Sequence, residues 1–279
     1  MPAATWSDLS RPGRALDFFQ RRSMPGFEPE ATGFCASNAL WLSEICRLVY
    51  RHDAPEPHPD PAPSRLDYLT RAGLRCEHFE AHPSWDIHAL LVTSQQPTPF
   101  AVLAFRGTEL SWRNYLIDAD MGLAGLRKQP AVHRGFLRAL NSIWPALQGA
   151  LAAQAHLPLF LTGHSLGGAL AVLASTRLSP QAVYAFGCPR VGNGAFAASL
   201  QAMAPIYRVV HGADVVTRVP PAWAGFEHVG QAHVLPGASD GFAAGLSGWW
   251  QRLSHPPRLL GHHAPIHYTD QLPGHRPGQ

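Results

Sequence analysis

Pro158-Leu-Phe-Leu-Thr-Gly-His-Ser-Leu-Gly-Gly-Ala-Leu-Ala171 is the stretch on which the fold turns. Its apolar start has the length and bounding of a buried parallel strand, predicted over 157–162. The Ala- and Leu-rich run behind it, 166–178, carries no proline and reads as a helix packed on a sheet. Between the two sits Gly163-His164-Ser165-Leu166-Gly167, a G-x-S-x-G pentapeptide at a strand-to-helix corner. Such a corner forces the serine into strained backbone angles and leaves no room for a Cβ two residues to either side, which Gly163 and Gly167 satisfy. The helix start at Leu166 aims unpaired N–H groups at the space above Ser165, where an oxyanion would collect.

Outward from this corner the chain alternates strand and helix. Strands are expected at 182–186 and 206–210 and a helix at 194–203. Upstream, 87–93 and 100–105 read as neighbouring strands joined by a polar turn, and 132–154 as a long helix that Pro145 should kink or break. Residues 38–50 place apolar side chains at helical spacing and predict an amphipathic helix. The proline-rich run 52–63 cannot be regular structure, and 66–73 resumes as a short helix closed by glycine. The alternation implies an α/β fold with a mostly parallel sheet and helices on both faces.

With 279 residues and no shift in composition, the chain is expected to form one domain over 1–279, with a helical lead segment of about 1–75. A net charge of +3, its basic residues scattered and nearly all arginine, gives no footprint for nucleic acid. Residues 1–26 lack the apolar core of a secretory signal, and no run is apolar enough to span a bilayer, so the expected location is cytoplasmic, with export by a signal-independent route as the alternative. The four cysteines are unpatterned and are expected to be reduced, buried thiols. Residues 240–260, with Trp249 and Trp250, read either as a cover over one end of the fold or as a segment that touches lipid.

A serine hydroxyl needs a histidine to take its proton, and the histidine a buried carboxylate to fix its tautomer. In this fold the acid and then the histidine follow the serine. Asp214 comes just after the strand at 206–210, at the carboxyl edge where sites collect. Of the later histidines, His263 is the candidate base, on a loop that Pro265 stiffens. His267 is the alternative, and His228 reads as structural. The i, i+4 spacing of His263 and His267 also invites a metal, but Pro265 interrupts the helix and no acidic or Cys ligand adjoins, so no metal is expected. A second oxyanion donor is expected from Thr108, at the end of the 100–105 strand, beside the Leu166 N–H.

Phe105-Arg-Gly-Thr108, Val132-His-Arg-Gly-Phe136, Thr162-Gly-His-Ser-Leu-Gly-Gly168, Phe186-Gly-Cys-Pro-Arg-Val-Gly-Asn193 and Asp214-Val-Val-Thr-Arg-Val-Pro-Pro221 occur in the order of the motifs of the class 3 lipases, and the chain resembles that family. The resemblance implies an α/β-hydrolase fold, Ser165 as nucleophile, Asp214 as acid, and Thr108 with Leu166 as oxyanion hole. It also favours His263, followed five residues later by Tyr268 as in relatives, and sets His228 aside. The implied lid spans 109–117, with Leu110, Trp112, Tyr115 and Leu116 as its apolar material. His262 stands where relatives often carry Asp, and Tyr115 where they often carry Trp.

The resulting expectation is a serine carboxylester hydrolase, a lipase or esterase, working through a Ser-His-Asp triad and an acyl-enzyme. Its partners would be lipid or small ester substrates and, transiently, a lipid surface, with no cofactor. A phospholipase A1 and a non-catalytic lipid-binding protein are the alternatives. Oligomeric state is not legible.

Overall fold

The structure, a computed structural model, describes residues 5, 8–9, 12–21, 23–51, 62–82, 84–94, 98–107, 123–124, 129–236 and 261–272. The expectations for Thr108, for the 109–117 lid and for 240–260 lie outside these residues, as does most of the 52–63 loop.

Strand β2 (Ile87–Ser94) pairs antiparallel with β1 (Arg75–His82) on one side and with β3 (Phe100–Phe105) on the other. A two-residue ladder, β4 (Leu123–Ala124) with β5 (Val132–His133), precedes the return to the main sheet. Strands β6 (Leu159–His164), β7 (Ala182–Phe186), β8 (Ile206–His211) and β9 (Gln231–Leu235) then join parallel to β3 and to each other, in the order β1-β2-β3-β6-β7-β8-β9. The central strands β3, β6 and β7 are almost wholly buried because helices cover both faces, so the alternation seen in a one-sided sheet is absent.

Helices α1 (Ala36–Leu48), α2 (Arg65–Arg71) and α6 (Pro265–Gln271) accompany one face. On the other lie α3 (Arg134–Ala153), α4 (Leu166–Ala174) and α5 (Gly194–Leu200). The side chains of a single strand divide between the two cores: Leu103 and Phe105 pack with Phe136, Leu140 and Leu170, whereas Val102 and Ala104 pack with Leu42, Ile45 and Tyr184. This is the α/β-hydrolase fold.

Several sequence expectations need correction. Of the kink or break expected at Pro145, the break is absent: helix α3 continues through this residue, which lies on its solvent side, where water can serve the carbonyl that the missing N–H abandons. Helix α1 is not a surface amphipath. Asn38, Ser43, Glu44 and Arg47 are as buried as its leucines, since the lead segment wraps its outer face and Arg47 pairs with Glu44 and Asp17 there. Cys46 and Cys188 are buried, and burial pushes both thiols up to about 12, but Cys35 and Cys76 are partly exposed; none of the four is joined in a disulfide. Strands β1 and β9 have no clear sequence signal. Each is an edge strand with charged or polar residues among its apolar ones, and pairing rather than burial defines it.

Candidate functional site

Ser165 is the residue between β6 and α4, with φ 59° and ψ −128°, a left-handed conformation that a serine adopts only under constraint. The constraint is visible in its surroundings. A Cβ on Gly163 would lie 2.2 Å from the Gly167 carbonyl, and one on Gly167 would lie 2.1 Å from the Phe105 carbonyl oxygen. The corner therefore closes against itself and against the end of β3. The Ser165 N–H donates to Phe186 O at 2.9 Å, tying the corner to the end of β7 as well. Helix α4, apolar and buried along its whole length, opens at Leu166, so its first N–H groups and the positive end of its dipole face the serine.

The candidate acid and base arrive from the next elements along the sheet. Asp214 follows β8 within a tight turn, 1% exposed. Its Oδ1 accepts from Val216 N at 2.9 Å, and its Oδ2 accepts from His263 Nδ1 at 2.7 Å and from the Tyr268 hydroxyl. A carboxylate only accepts, so Nδ1 of His263 carries the hydrogen and Nε2 keeps its lone pair, the tautomer a general base needs. Burial, reinforced by the Asp214 charge, holds the Tyr268 phenol well above its usual range, so Tyr268 remains a donor. The assembly stands at the end of β7: a Cβ on Gly187 would meet Asp214 Oδ2 and Tyr268 Oη at 2.9 Å and His263 Cε1 at 3.0 Å. Ser165, Asp214 and His263 thus share the carboxyl edge of β6, β7 and β8.

The turn carrying His263 is pinned on two sides. Ala213 N–H donates to His262 Nδ1 at 2.9 Å, and His211 Nδ1 donates to the His262 carbonyl at 3.1 Å, both from the β8 side. From the β6 side, His164 Nε2 lies 2.8 Å from the His263 carbonyl. These bonds, rather than the stiffness of Pro265, hold the turn; Pro265 instead opens α6 at its first position, where a missing N–H costs nothing. Helix α6 is held to α1 by Ser43 Oγ and Thr269 Oγ1 at 3.1 Å, and to the lead segment by Arg21, whose guanidinium donates to both Asp270 oxygens at 2.8 and 2.9 Å.

Of the sequence candidates, Asp214 and His263 are hydrogen-bonded to each other, and Leu166 begins the helix beside Ser165. His267 is elsewhere: its ring stacks on His211 with centroids 5.1 Å apart, and burial lowers its pKa to about 4. His228 is likewise lowered to about 4 by burial, with Arg208 and Arg190 adding to the effect. His263 and His267 do not share a helix face, because His263 precedes α6. The parts played by Tyr50, His164, His211 and His262 are not readable from sequence. Their bonds join segments far apart in the chain, and only His262 stands out there, as a departure from relatives.

A central sheet of this order, with a serine at a strained strand-to-helix corner and a buried histidine-aspartate pair at the same sheet edge, places the chain in the α/β-hydrolase fold class with a candidate serine-centred site. The family model for class 3 lipases matches residues 102–223, and the solved structure of lipase II from Rhizopus niveus is 31% identical, with a TM-score of 0.52, covering 61% of this chain and 69% of that one; the chain belongs to that family. A lipase of Rhizopus niveus is 38% identical over 155 residues, covering 50% of this chain and 39% of that protein. The secreted mono- and diacylglycerol lipase 1 of Fusarium solani is 37% identical over 147 residues, covering 49% of this chain and 44% of that one. The crystal structure of a lipase from Rhizopus microsporus var. chinensis superposes with a TM-score of 0.59 at 29% identity, covering 80% of this chain and 83% of that one. The chain spans less than half the length of these two curated relatives. The expectation of a cytoplasmic location does not stand: relatives from Fusarium solani and Penicillium cyclopium are secreted lipases by name, which points outside the cell.

Proposed function

We propose that the protein is a serine carboxylester hydrolase acting on lipid esters. Ser165 attacks the ester carbonyl while His263 Nε2 takes its proton, and Asp214 holds the imidazole and stabilises the imidazolium. The tetrahedral oxyanion is met by the Leu166 N–H at the start of α4, with Thr108 as the second donor. His263 then returns the proton to the leaving alcohol, and water activated by the same histidine releases the acid from the acyl-enzyme. Every step uses side chains and backbone alone, so the mechanism requires no cofactor.

The observation that carries this reading is the bond of 2.7 Å between His263 Nδ1 and the buried Asp214, at the same sheet edge as the strained Ser165. The names of the relatives support lipid esters as the substrate class. Hydrolysis should be measured on p-nitrophenyl esters of graded chain length, mono-, di- and triacylglycerols, and phospholipids. Activity greatest on acylglycerols and abolished by Ser165→Ala is expected; undiminished hydrolysis by Ser165→Ala would overturn the reading, and a preference for phospholipids would replace the lipase with a phospholipase A1.

A lipid surface as partner has support among the described residues in Trp223, 88% exposed in the turn Ala222–Ala224. The segment leading into the turn is held by Arg190, which donates to the Val219 carbonyl through its main chain, at 2.8 Å, and to the Pro220 carbonyl through its guanidinium, at 2.9 Å. An indole standing in water has the chemistry of an interfacial contact.

A further inference from the structure

We propose that His164, the residue before the serine, is a positioning residue that sets the place of the base by holding its main-chain carbonyl. The proposal rests on the hydrolase reading above. His164 is 3% exposed, and its Nε2 lies 2.8 Å from the His263 carbonyl oxygen. A carbonyl can only accept, so Nε2 bears the hydrogen. Nδ1, 3.3 Å from the Tyr50 hydroxyl, is then bare and accepts the phenolic hydrogen. The ring is neutral: burial, with the adjacent His263 adding to it, holds its pKa well below the usual histidine value. A relay thus runs from Tyr50, just past the end of α1, through His164, to the peptide of His263.

The division of labour among the anchors of the 262–263 turn gives this relay its meaning. The two bonds at His262 come from His211 and Ala213, on the element that also carries Asp214. They keep base and acid together but say nothing of the serine. His164 belongs to the backbone that carries Ser165, and its bond ties the base to the nucleophile's own strand. The His164 and His263 rings lie 4.4 Å apart at 36°, so the base also rests against its anchor. Without that bond the His263-Asp214 pair survives while its distance from Ser165 is no longer fixed, and a misplacement of about 1 Å costs on the order of 100-fold in rate.

The test uses a short-chain, soluble p-nitrophenyl ester, so that no interface enters. His164→Leu removes the donor and should lower kcat about 100-fold with KM within about twofold. His164→Gln offers an amide N–H at the depth of Nε2 and should recover kcat to within about tenfold of the wild type. A folded Leu variant with wild-type kcat, or a Gln variant no better than Leu, would overturn the proposal. If His164→Leu does not fold, Tyr50→Phe decides: loss of the hydroxyl should reduce kcat about three- to tenfold at constant KM, and an unchanged kcat counts against the relay. A wild-type enzyme that hydrolyses no ester would instead refute the hydrolase reading itself, whereas an active wild type with an equally active Leu variant removes only the role of His164.

Discussion

Asp214→Asn puts the site's polarity to the question with almost no change in shape. The carboxylate accepts three hydrogen bonds, one at Oδ1 from Val216 N at 2.9 Å and two at Oδ2, from His263 at 2.7 Å and from Tyr268. An amide must set its NH2 in one of these places. At the Oδ1 place it opposes the Val216 N–H, forfeiting one bond of roughly 1 kcal/mol, and His263 keeps its tautomer. At the Oδ2 place it opposes two donors, forcing the His263 proton onto Nε2 and the Tyr268 hydroxyl to turn. The first arrangement is the cheaper, so stability should fall by only about 1–2 kcal/mol, a few degrees in Tm. Catalysis should suffer far more, because in either arrangement the imidazolium loses its counter-charge. The expected fall in kcat is about 10³- to 10⁴-fold, or about 4–5.5 kcal/mol. Steady-state kinetics on a soluble ester at about pH 8, above the ordinary histidine range, beside a thermal melt, measures both. A variant within about tenfold of the wild-type kcat would refute the reasoning that Asp214 works electrostatically through His263.

Gly167→Ala should fail at the level of folding, since its Cβ would meet the Phe105 carbonyl oxygen at 2.1 Å and carbon at 2.8 Å, both main-chain atoms of a central strand. A loss above about 3 kcal/mol in urea denaturation is expected, and an unchanged midpoint would show that the corner is looser than it stands. Acid should destabilise the protein before its carboxylates titrate. His228 and His267 have folded pKa values lowered to about 4 from 6.5, so the unfolded chain binds more protons between these values. Their contribution is complete above about pH 6.5 and is lost as the pH falls toward about 4; a Tm constant from about pH 7 to about pH 4 would contradict this. Trp223→Ala should leave hydrolysis of a soluble ester intact but weaken activity on an emulsion several-fold, and equal loss on both substrates would place the indole's role elsewhere.

What the sequence yields and what it withholds differ in kind. The strand, corner and helix around Ser165 are legible because two glycines, an apolar run and a proline-free helix are all local, and 182–186 and 100–105 are found to the residue. Asp214 is legible from its place after a strand. The choice of His263 over His267 stays open at that level, since it depends on which ring reaches a carboxylate 49 positions away. Tyr50 and His164 are hidden for the same reason, their bond joining positions 114 apart. The burial of α1 escapes because polar residues such as Glu44 and Arg47 look like a solvent face until Asp17 is folded over them. The run through Pro145 escapes because a proline's cost depends on whether its side of the helix meets water or the core.

A fluorophosphonate probe followed by peptide mass spectrometry tests most directly whether Ser165 is an activated nucleophile. A single stoichiometric adduct on Ser165, formed by the wild type, slowed in His263→Ala and absent from Ser165→Ala, is the expected result. A folded wild-type protein that takes no label, or takes it on another serine, would contradict it.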